Sequence, residues 1–177
     1  MKIVLISGKA QHGKTTAAGF LEKHLEAAGF RALQISFADY VKFVCGKHYG
    51  WNGDKDDAGR YILQHVSTEI FRKRDPNFWV DTVIHYVKTV WPDYDYALIA
   101  DWRFPNEYER WSESGIEDVA RLRVSRPGFT NDLCDETRYH SSEMSLEGYG
   151  IDLELSAESL DELEEKCLLS LPFLGAV

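Results

Sequence analysis

Cysteine is scarce in this sequence of 177 residues, and its three cysteines, Cys45, Cys134 and Cys167, are far apart. This spacing supplies neither a disulfide framework nor a tetrahedral metal site, so a reducing cytoplasm is the expected setting. Basic residues are also few relative to acidic ones: the sequence has 20 Lys and Arg against 29 Asp and Glu, which gives a formal net charge of −9. That balance argues against a nucleic-acid coat or a polybasic membrane surface. No apolar run is long enough to span a bilayer, and the opening MKIVLI lacks the features of a secretory signal.

The composition is otherwise that of a folded protein, with 44% hydrophobic and 28% charged residues, and it predicts one domain over residues 1–177. Continuous apolar runs, such as Ile3–Ile6, are typical of strands buried on both faces of a parallel sheet. Strands are predicted over 3–6, 32–38, 96–101, 119–126 and 151–155. Helices are predicted over 14–28, 40–50, 61–74, 77–90, 105–115 and 159–171, with a loop over 51–60. This alternation predicts a wound α/β domain with a mostly parallel sheet.

The stretch GKAQHGKT, residues 8–15, matches the pattern G-x-x-x-x-G-K-[ST] in full and lies between a predicted strand and a predicted helix. Its glycines let backbone N–H groups turn inward around a phosphate, and the helix start adds its positive dipole end. Lys14 can then reach the β- and γ-phosphates of a nucleotide, and the Thr15 hydroxyl can bind Mg²⁺. We interpret His12 as a variable loop residue rather than a catalyst. A glycine-rich turn that binds nothing is the alternative, which the complete motif disfavours.

Two aspartates are predicted to follow buried strands, at the sheet edge where wound α/β domains keep their sites. Asp101 ends the run YALIAD and is a candidate Walker B carboxylate, which would hold the Mg²⁺ shell directly or through water. Asp39 follows the strand predicted over 32–38 and can orient an acceptor or complete the metal shell. Either aspartate can instead be a helix N-cap.

Arginines come from several predicted elements that lead toward the same crevice: Arg72, Arg103, Arg121, Arg123, Arg126 and Arg138, the last within a flap over residues 127–142. Arg72 and Glu69 lie three apart on one helix, so they can serve a phosphate site or form only an exposed ion pair. Converging arginines would offset the charge of two phosphorylated substrates. The pattern therefore favours a small kinase that acts on an already phosphorylated acceptor.

Six ordered blocks resemble the bacteriophage-type deoxynucleoside monophosphate kinases of the P-loop kinase group, over nearly the whole chain. They are GKAQHGKT, SFADYVK, LQHVSTEIFRKRDPNFWV, IADWRFPNEYE, HSSEMSLE and IDLELSAESLDELEEKC. The resemblance implies a three-layer, mostly parallel α/β sheet of the P-loop NTPase kinase type. It also implies a helical insertion over about residues 38–92 that binds the nucleoside monophosphate (NMP), and a lid over about residues 126–142.

The same resemblance implies ATP and Mg²⁺ as cofactors and assigns roles to individual positions. The residues implied for ATP are Gly8, Lys9, Gln11, His12, Gly13, Lys14, Thr15, Thr16 and Arg123. Those implied for the monophosphate are Asp39, Lys42, Glu69, Arg72, Trp79, Arg103 and Glu143. Those implied for catalysis are Lys14, Asp39, Asp101, Arg103 and Arg126, and those for Mg²⁺ are Thr15 and Asp101. Trp79 and Trp102 can stack on a base, with core packing as the alternative.

The sequence thus predicts an enzyme that transfers the γ-phosphate of ATP to a deoxynucleoside monophosphate. One alternative is a kinase for another small phosphorylated acceptor, similar to phosphomevalonate kinases, and the other is a regulatory module that binds ATP without transfer. The expected partners are small nucleotides, with neither nucleic acid nor membrane, and a homodimer is compatible with the sequence. The expected location is the cytoplasm, that of the host if a phage encodes the protein.

Overall fold

The computed structural model describes residues 1–54, 56–90, 93–130 and 145–176. Strands and helices alternate along the chain, and their bounds are β1 (Lys2–Ser7), α1 (Lys14–Ala27), β2 (Ala32–Ile35), α2 (Phe37–His48), α3 (Asp57–Gln64), a π-helix (His65–Arg72), α4 (Phe78–Val90), β3 (Tyr96–Ile99), α5 (Pro105–Glu113), β4 (Val119–Ser125), β5 (Leu153–Ser156), α6 (Leu160–Leu169) and α7 (Leu171–Leu174).

The five strands form one sheet in the order β2-β3-β1-β4-β5, and every neighbouring pair is parallel. Val4, in the central strand β1, pairs with Leu98 on one side and Ala120 on the other. Parallel neighbours need crossover connections, and the helices supply them. The predicted fold class, a wound α/β domain with a parallel sheet, is confirmed.

The sheet is covered on both faces, and alternate residues of β1 pack against the two covering layers. Val4 and Ile6 belong to one buried cluster, together with residues of α1 and α6 such as Leu21 and Leu163. Ile3 and Leu5 belong to a second buried cluster on the opposite face, which includes residues of α2, α4 and α5. Successive side chains of a strand point to opposite faces, so a continuous apolar run fits a strand with two covered faces.

The strand predicted over 32–38 is too long, because β2 ends at Ile35 and α2 begins at Phe37. Ser36 lies between them with extended backbone angles, and its hydroxyl accepts a hydrogen bond from the Ala38 N–H at 3.1 Å. This is an N-cap, the role for which serine is among the preferred residues. Asp39 consequently lies in the first turn of a helix and not directly after a strand.

The region between α2 and α4 differs from its prediction in two ways. The loop predicted over 51–60 already contains the start of α3, whose N-cap Asp56 accepts a hydrogen bond from the Gly59 N–H at 2.7 Å. The single helix predicted over 61–74 is instead two elements. The helix α3 ends at Gln64, and the π-helix follows from His65 to Arg72. Hydrogen bonds in a π-helix join residues five apart, so side chains do not follow the spacing of an α-helix.

The carboxyl-terminal helix predicted over 159–171 is confirmed as α6, and Ser159 caps it by accepting from the Glu162 N–H at 3.2 Å. Cys45 and Cys167 are buried free thiols. Burial raises the pKa of the Cys167 thiol to about 12, so it is held as a protonated core side chain. None of the helices in the described residues is long and apolar enough to cross a membrane.

The helical region predicted to bind the monophosphate, about 38–92, contains α2, α3, the π-helix and α4. Most of the predicted lid, about 126–142, lies outside the described residues, as do Arg138 and Glu143.

Candidate active site

The phosphate loop joins β1 to α1 and bends at three positions with positive φ, Gly8 (+144°), Gln11 (+65°) and Gly13 (+93°). Glycine is needed at Gly8 for space as well, because a Cβ there would lie 2.3 Å from the Val124 carbonyl oxygen of β4. Gly13 is the N-cap of α1 and has no side chain to occupy the N–H groups of the first turn. Those N–H groups have no acceptor within the helix, so they can face an anion.

The Lys14 ammonium lies inside the curve of this loop. Its Nζ donates to the Gly8 carbonyl oxygen at 2.7 Å and to the Lys9 carbonyl oxygen at 2.9 Å. Thr15 and Thr16 are exposed in the first turn of α1. The loop therefore brings together helix N–H groups, one cation and one hydroxyl, which is the donor set that a triphosphate with Mg²⁺ requires.

Asp101 follows β3 by two residues, and its carboxylate holds the start of α2. One oxygen, Oδ2, accepts from the Ser36 hydroxyl at 2.7 Å and from the Ala38 N–H at 2.8 Å. The other, Oδ1, accepts from the Phe37 N–H at 3.1 Å. Asp101 is thus not itself an N-cap, because Ser36 is the N-cap of α2 and Phe104 precedes α5. Its carboxylate instead supports the start of α2 across the sheet. An ionised carboxylate has about four lone-pair sites, so these three bonds leave about one for a metal ion or a metal-bound water.

The residues present fit Mg²⁺ only together with a nucleotide. Among the described residues, no group of three or more His, Cys, Asp or Glu is placed to hold a metal ion. Mg²⁺ usually keeps several waters and takes one or two protein ligands beside substrate phosphates. The exposed Thr15 hydroxyl can supply such a ligand, and Asp101 can contribute through a water.

On the side of α2, Asp39 and Lys42 form an ion pair with 2.9 Å between Oδ1 and Nζ. The Asp39 side chain is 58% exposed, so its carboxylate is accessible to solvent. The pair lies next to the α2 start that Asp101 holds, because the Ala38 N–H donates to Asp101. The structure therefore places Asp39 and Lys42 in the first half of α2, close to the helix start that Asp101 contacts.

Arg72 and Glu69, which the sequence placed on one helical face, have different partners. Glu69 pairs with Lys73 at 3.7 Å. The Arg72 guanidinium donates to Glu107 Oε1 at 2.6 Å and lies over the Phe104 ring, 4.4 Å from its centroid. The exposed Glu69–Arg72 ion pair considered from the sequence is wrong, because the π-helix turns Arg72 toward α5.

Glu107 is a residue that the sequence reasoning missed. Its side chain is 1% exposed, and its Oε2 accepts from the backbone N–H groups of Arg103 at 2.8 Å and Phe104 at 3.1 Å. Burial raises the pKa of Glu107, and the neighbouring Arg72 charge opposes that rise. Its position three residues after Phe104, the residue before the helix, is where a glutamate commonly closes a capping box, and this was the available signal.

Two tryptophans proposed for base stacking are buried, and one of them, Trp102, also lines the cavity beside the phosphate loop. Trp79 and Trp102 are each 1% exposed. The Trp79 Nε1 donates to the Ser67 carbonyl oxygen at 3.1 Å, and the Trp102 Nε1 donates to the Phe104 carbonyl oxygen at 2.9 Å. The prediction of Trp79 as a substrate contact is therefore corrected to the packing alternative, because a buried ring with its N–H already paired offers no face to a base.

A cavity of about 400 Å³ opens beside the phosphate loop, above the ends of β1 and β4. Its lining includes Lys9 and His12 of the loop, Arg103 after β3, Arg123 near the end of β4, and residues 146–148 before β5. Arg123 donates from Nη2 to the Leu146 carbonyl oxygen at 2.8 Å. Three strands thus bring cationic side chains to one cavity beside Lys14. The strand register that this requires was not visible in the sequence.

Arg126, the first residue after β4, contacts the phosphate loop. Its backbone N–H donates to His12 Nδ1 at 3.0 Å, and its guanidinium lies over the Phe129 ring, 4.5 Å from the centroid. Glu143, implied as a substrate contact, lies outside the described residues.

Solved structures of similar fold match nearly the whole chain. A sugar kinase from a Janibacter species has a TM-score of 0.56 and 15% identity, with 100% of this chain and 96% of that chain covered. The APS kinase of Mycobacterium tuberculosis, in complex with AMPPNP and APS, has a TM-score of 0.53 and 15% identity, with 97% of each chain covered. A shikimate kinase from Bacteroides thetaiotaomicron has a TM-score of 0.50 and 12% identity, with 98% of each chain covered.

No protein-family model matches the sequence, and no curated protein matches it. At identities this low, the likeness to solved structures establishes the fold alone. The chain has the three-layer, parallel α/β fold of the P-loop kinases.

Proposed function

We propose that the protein is an ATP-dependent kinase that transfers the γ-phosphate of ATP to a deoxynucleoside monophosphate. The observation that carries the proposal is that Lys14 is bonded to the carbonyl oxygens of Gly8 and Lys9. These two loop residues line the same cavity as Arg103 and Arg123. A loop with one lysine accounts for binding a nucleotide. Two further arginines, which follow or lie in other strands, would offset the charge of a second phosphorylated molecule at the same place.

The chemistry of this proposal is positioning and charge stabilisation. Phosphoryl transfer passes through a state whose negative charge is spread over the transferring group, so prearranged cations lower its energy. Lys14 would hold the β- and γ-phosphates, and Arg103 and Arg126 would stand at the transferring group. Arginine binds phosphate through two parallel N–H donors, which orients it as well as neutralising it. Mg²⁺, when bound with ATP through Thr15, would neutralise the charge between the β- and γ-phosphates.

The nucleotide acceptor rests on the resemblance of the sequence blocks, and the geometry around Arg72 is compatible with it. Glu107 and Phe104 hold the Arg72 guanidinium in one orientation at the end of the π-helix. A held guanidinium loses less freedom when it binds a phosphate than a mobile side chain does.

A second candidate is a kinase whose acceptor carries a hydroxyl group, and Asp39 favours it. A hydroxyl must lose its proton when it is phosphorylated, whereas a monophosphate acceptor has no such need. The exposed Asp39 carboxylate at the start of α2 could accept that proton. Two of the similar structures are a sugar kinase and a shikimate kinase.

A panel of acceptors tests both candidates. ADP release would be measured with ATP and each deoxynucleoside monophosphate, with phosphomevalonate, and with shikimate and a sugar acid, and the products would be identified. The proposal expects a deoxynucleoside diphosphate from at least one nucleotide. A phosphorylated product from another acceptor alone, or tight ATP binding without any product, contradicts it.

The Lys14→Ala variant tests the assigned loop on the same assay. We expect a loss of turnover of about 100-fold or more with an unchanged unfolding midpoint, because the lost contact acts on the transferring phosphates. Lys23→Ala is the matched control, since Lys23 lies on the same helix and pairs with Glu164 at 2.6 Å. Near-normal turnover in Lys14→Ala would show that the loop is not the catalytic cradle.

A further inference from the structure

The His12 side chain links the phosphate loop to the end of β4. The ladder between β1 and β4 ends at the pair Ser7 and Arg123, so the N–H of Arg126 lies beyond it. That N–H instead donates to the Nδ1 atom of the His12 ring at 3.0 Å. Arg126 is an exposed residue, so its N–H would otherwise donate to water, and here an imidazole accepts the bond in place of a strand.

The bond defines the state of the ring. A backbone N–H can only donate, so the Nδ1 atom that faces it carries no proton. His12 is therefore a neutral imidazole with its hydrogen on Nε2 in this arrangement. A phenyl ring or a protonated imidazole could not accept the same bond.

The segment that His12 holds is a tight turn. The Phe129 N–H donates to the Arg126 carbonyl oxygen at 3.2 Å, with Pro127 and Gly128 between them and Gly128 at φ +71°. These are the residues that a type II turn favours. The Phe129 ring packs edge-on against His12, with 5.8 Å between centroids, and carries the Arg126 guanidinium on its face. Loop, turn and guanidinium thus form one cluster.

His12 also occupies the bend of the loop itself. Its backbone N–H donates to the Lys9 carbonyl oxygen at 3.3 Å, and both its neighbours have positive φ. The bond to His12 therefore connects Arg126 directly to the part of the loop that is proposed to bind the phosphates.

We propose that His12 is a positioning residue, which ties the phosphate loop to the Arg126–Phe129 turn and so sets the place of the Arg126 guanidinium relative to the triphosphate. The inference rests on the proposed function, in which Arg126 acts on the transferring phosphate. It adds that the acceptor atom at the Nδ1 position of His12 is the element that matters, and not the imidazole as an acid, base or ligand.

Two variants of His12 separate these possibilities. His12→Asn places an amide oxygen where Nδ1 stands, and His12→Phe keeps a ring against Phe129 but removes the acceptor. We expect His12→Phe to lower kcat by about five- to tenfold, the worth of one hydrogen bond, and His12→Asn to retain most of the wild-type kcat. His12→Gln, whose amide corresponds to the Nε2 position, should resemble His12→Phe.

The same substitutions are then made in Arg126→Ala, which keeps the backbone N–H and removes the guanidinium. If His12 acts by placing that guanidinium, His12→Phe has no further effect on kcat in this background. An equal loss in both backgrounds, or equal kcat values for His12→Phe and His12→Asn, overturns the inference. Far-UV circular dichroism and urea midpoints check that each variant is folded. If His12→Phe does not fold, the kcat of His12→Asn is compared with that of His12→Gln instead.

The dissociation constant of AMPPNP gives a readout that does not depend on any acceptor. The inference expects weaker binding for His12→Phe and recovery in His12→Asn. If wild-type protein phosphorylates no acceptor, the proposed function fails, while this ordering of affinities would still support the tie between loop and turn. Identical affinities in all the variants would overturn it.

Discussion

Replacing Gly8 with alanine tests the closest approach in the phosphate loop. A Cβ on Gly8 lies 2.3 Å from the Val124 carbonyl oxygen, whereas real Cβ atoms essentially never come closer than 3.0 Å. The loop and β4 must therefore separate by at least 0.7 Å, which is 3.0 minus 2.3. Ser7 pairs with Arg123 beside this contact, so the movement disturbs the ladder between β1 and β4 as well as the loop.

Gly29→Ala is the matched control for this perturbation. Gly29 also has a positive φ, +89°, but a Cβ there meets nothing within 4 Å. A positive φ costs an L-residue about 1–3 kcal/mol, and both variants carry a cost of this kind. Overpacking adds about 1–3 kcal/mol, and only Gly8→Ala carries it. We expect the free energy of unfolding to fall by about 2–6 kcal/mol for Gly8→Ala and by about 1–3 kcal/mol for Gly29→Ala.

Urea unfolding followed by far-UV circular dichroism measures both losses, and AMPPNP binding measures the consequence for the loop. Gly8→Ala should weaken AMPPNP binding, while Gly29→Ala should leave it unchanged because Gly29 lies at the far end of α1. Equal unfolding losses in the two variants would refute the reasoning, since the contact with Val124 would then contribute nothing.

Two further perturbations address the charge pairs. Arg72→Ala should lower the free energy of unfolding by about 3–5 kcal/mol, because it leaves the buried Glu107 carboxylate without its counter-charge. Arg110→Ala, which removes a more exposed ion pair, should cost clearly less. Below pH 3.8 the wild-type protein should lose stability more steeply than Asp152→Asn. The Arg121 guanidinium holds the pKa of Asp152 below its ordinary value of 3.8, so the stabilisation is present above that pH and is lost as pH falls through the folded-state pKa.

Urea midpoints at pH 7 check the first pair of variants, and equal losses for Arg72→Ala and Arg110→Ala would contradict the burial argument. Urea midpoints between pH 5 and pH 2 check the second prediction. Parallel curves for wild-type protein and Asp152→Asn would show that Asp152 contributes nothing to the acid limb.

The fold class and the phosphate loop could be predicted from the sequence because both depend on neighbours along the chain. The loop needs glycines, a lysine and a threonine within eight consecutive residues, and its geometry follows from their local backbone preferences. Buried parallel strands need unbroken apolar runs, as at Ile3–Ile6 and Tyr96–Ile99. Element ends were less certain, since Ser36 closes β2 earlier than the apolar pattern suggests.

Side-chain partnerships could not be predicted, because a charged or polar group has many candidate partners and only packing selects one. Asp101 finds Ser36, 65 residues away, and Arg72 finds Glu107, 35 residues away, in place of the nearer Glu69. The sequence left Trp79 open as a base contact or a core residue, and its burial shows that it is a core residue. The sequence by itself predicted a phosphate-binding loop and determined which residues form it. Only the tertiary structure decided which carboxylate supports the start of α2, which arginine is held by a buried carboxylate, and which side chain links the loop to the end of β4. These contacts join residues that the sheet brings together from distant parts of the chain.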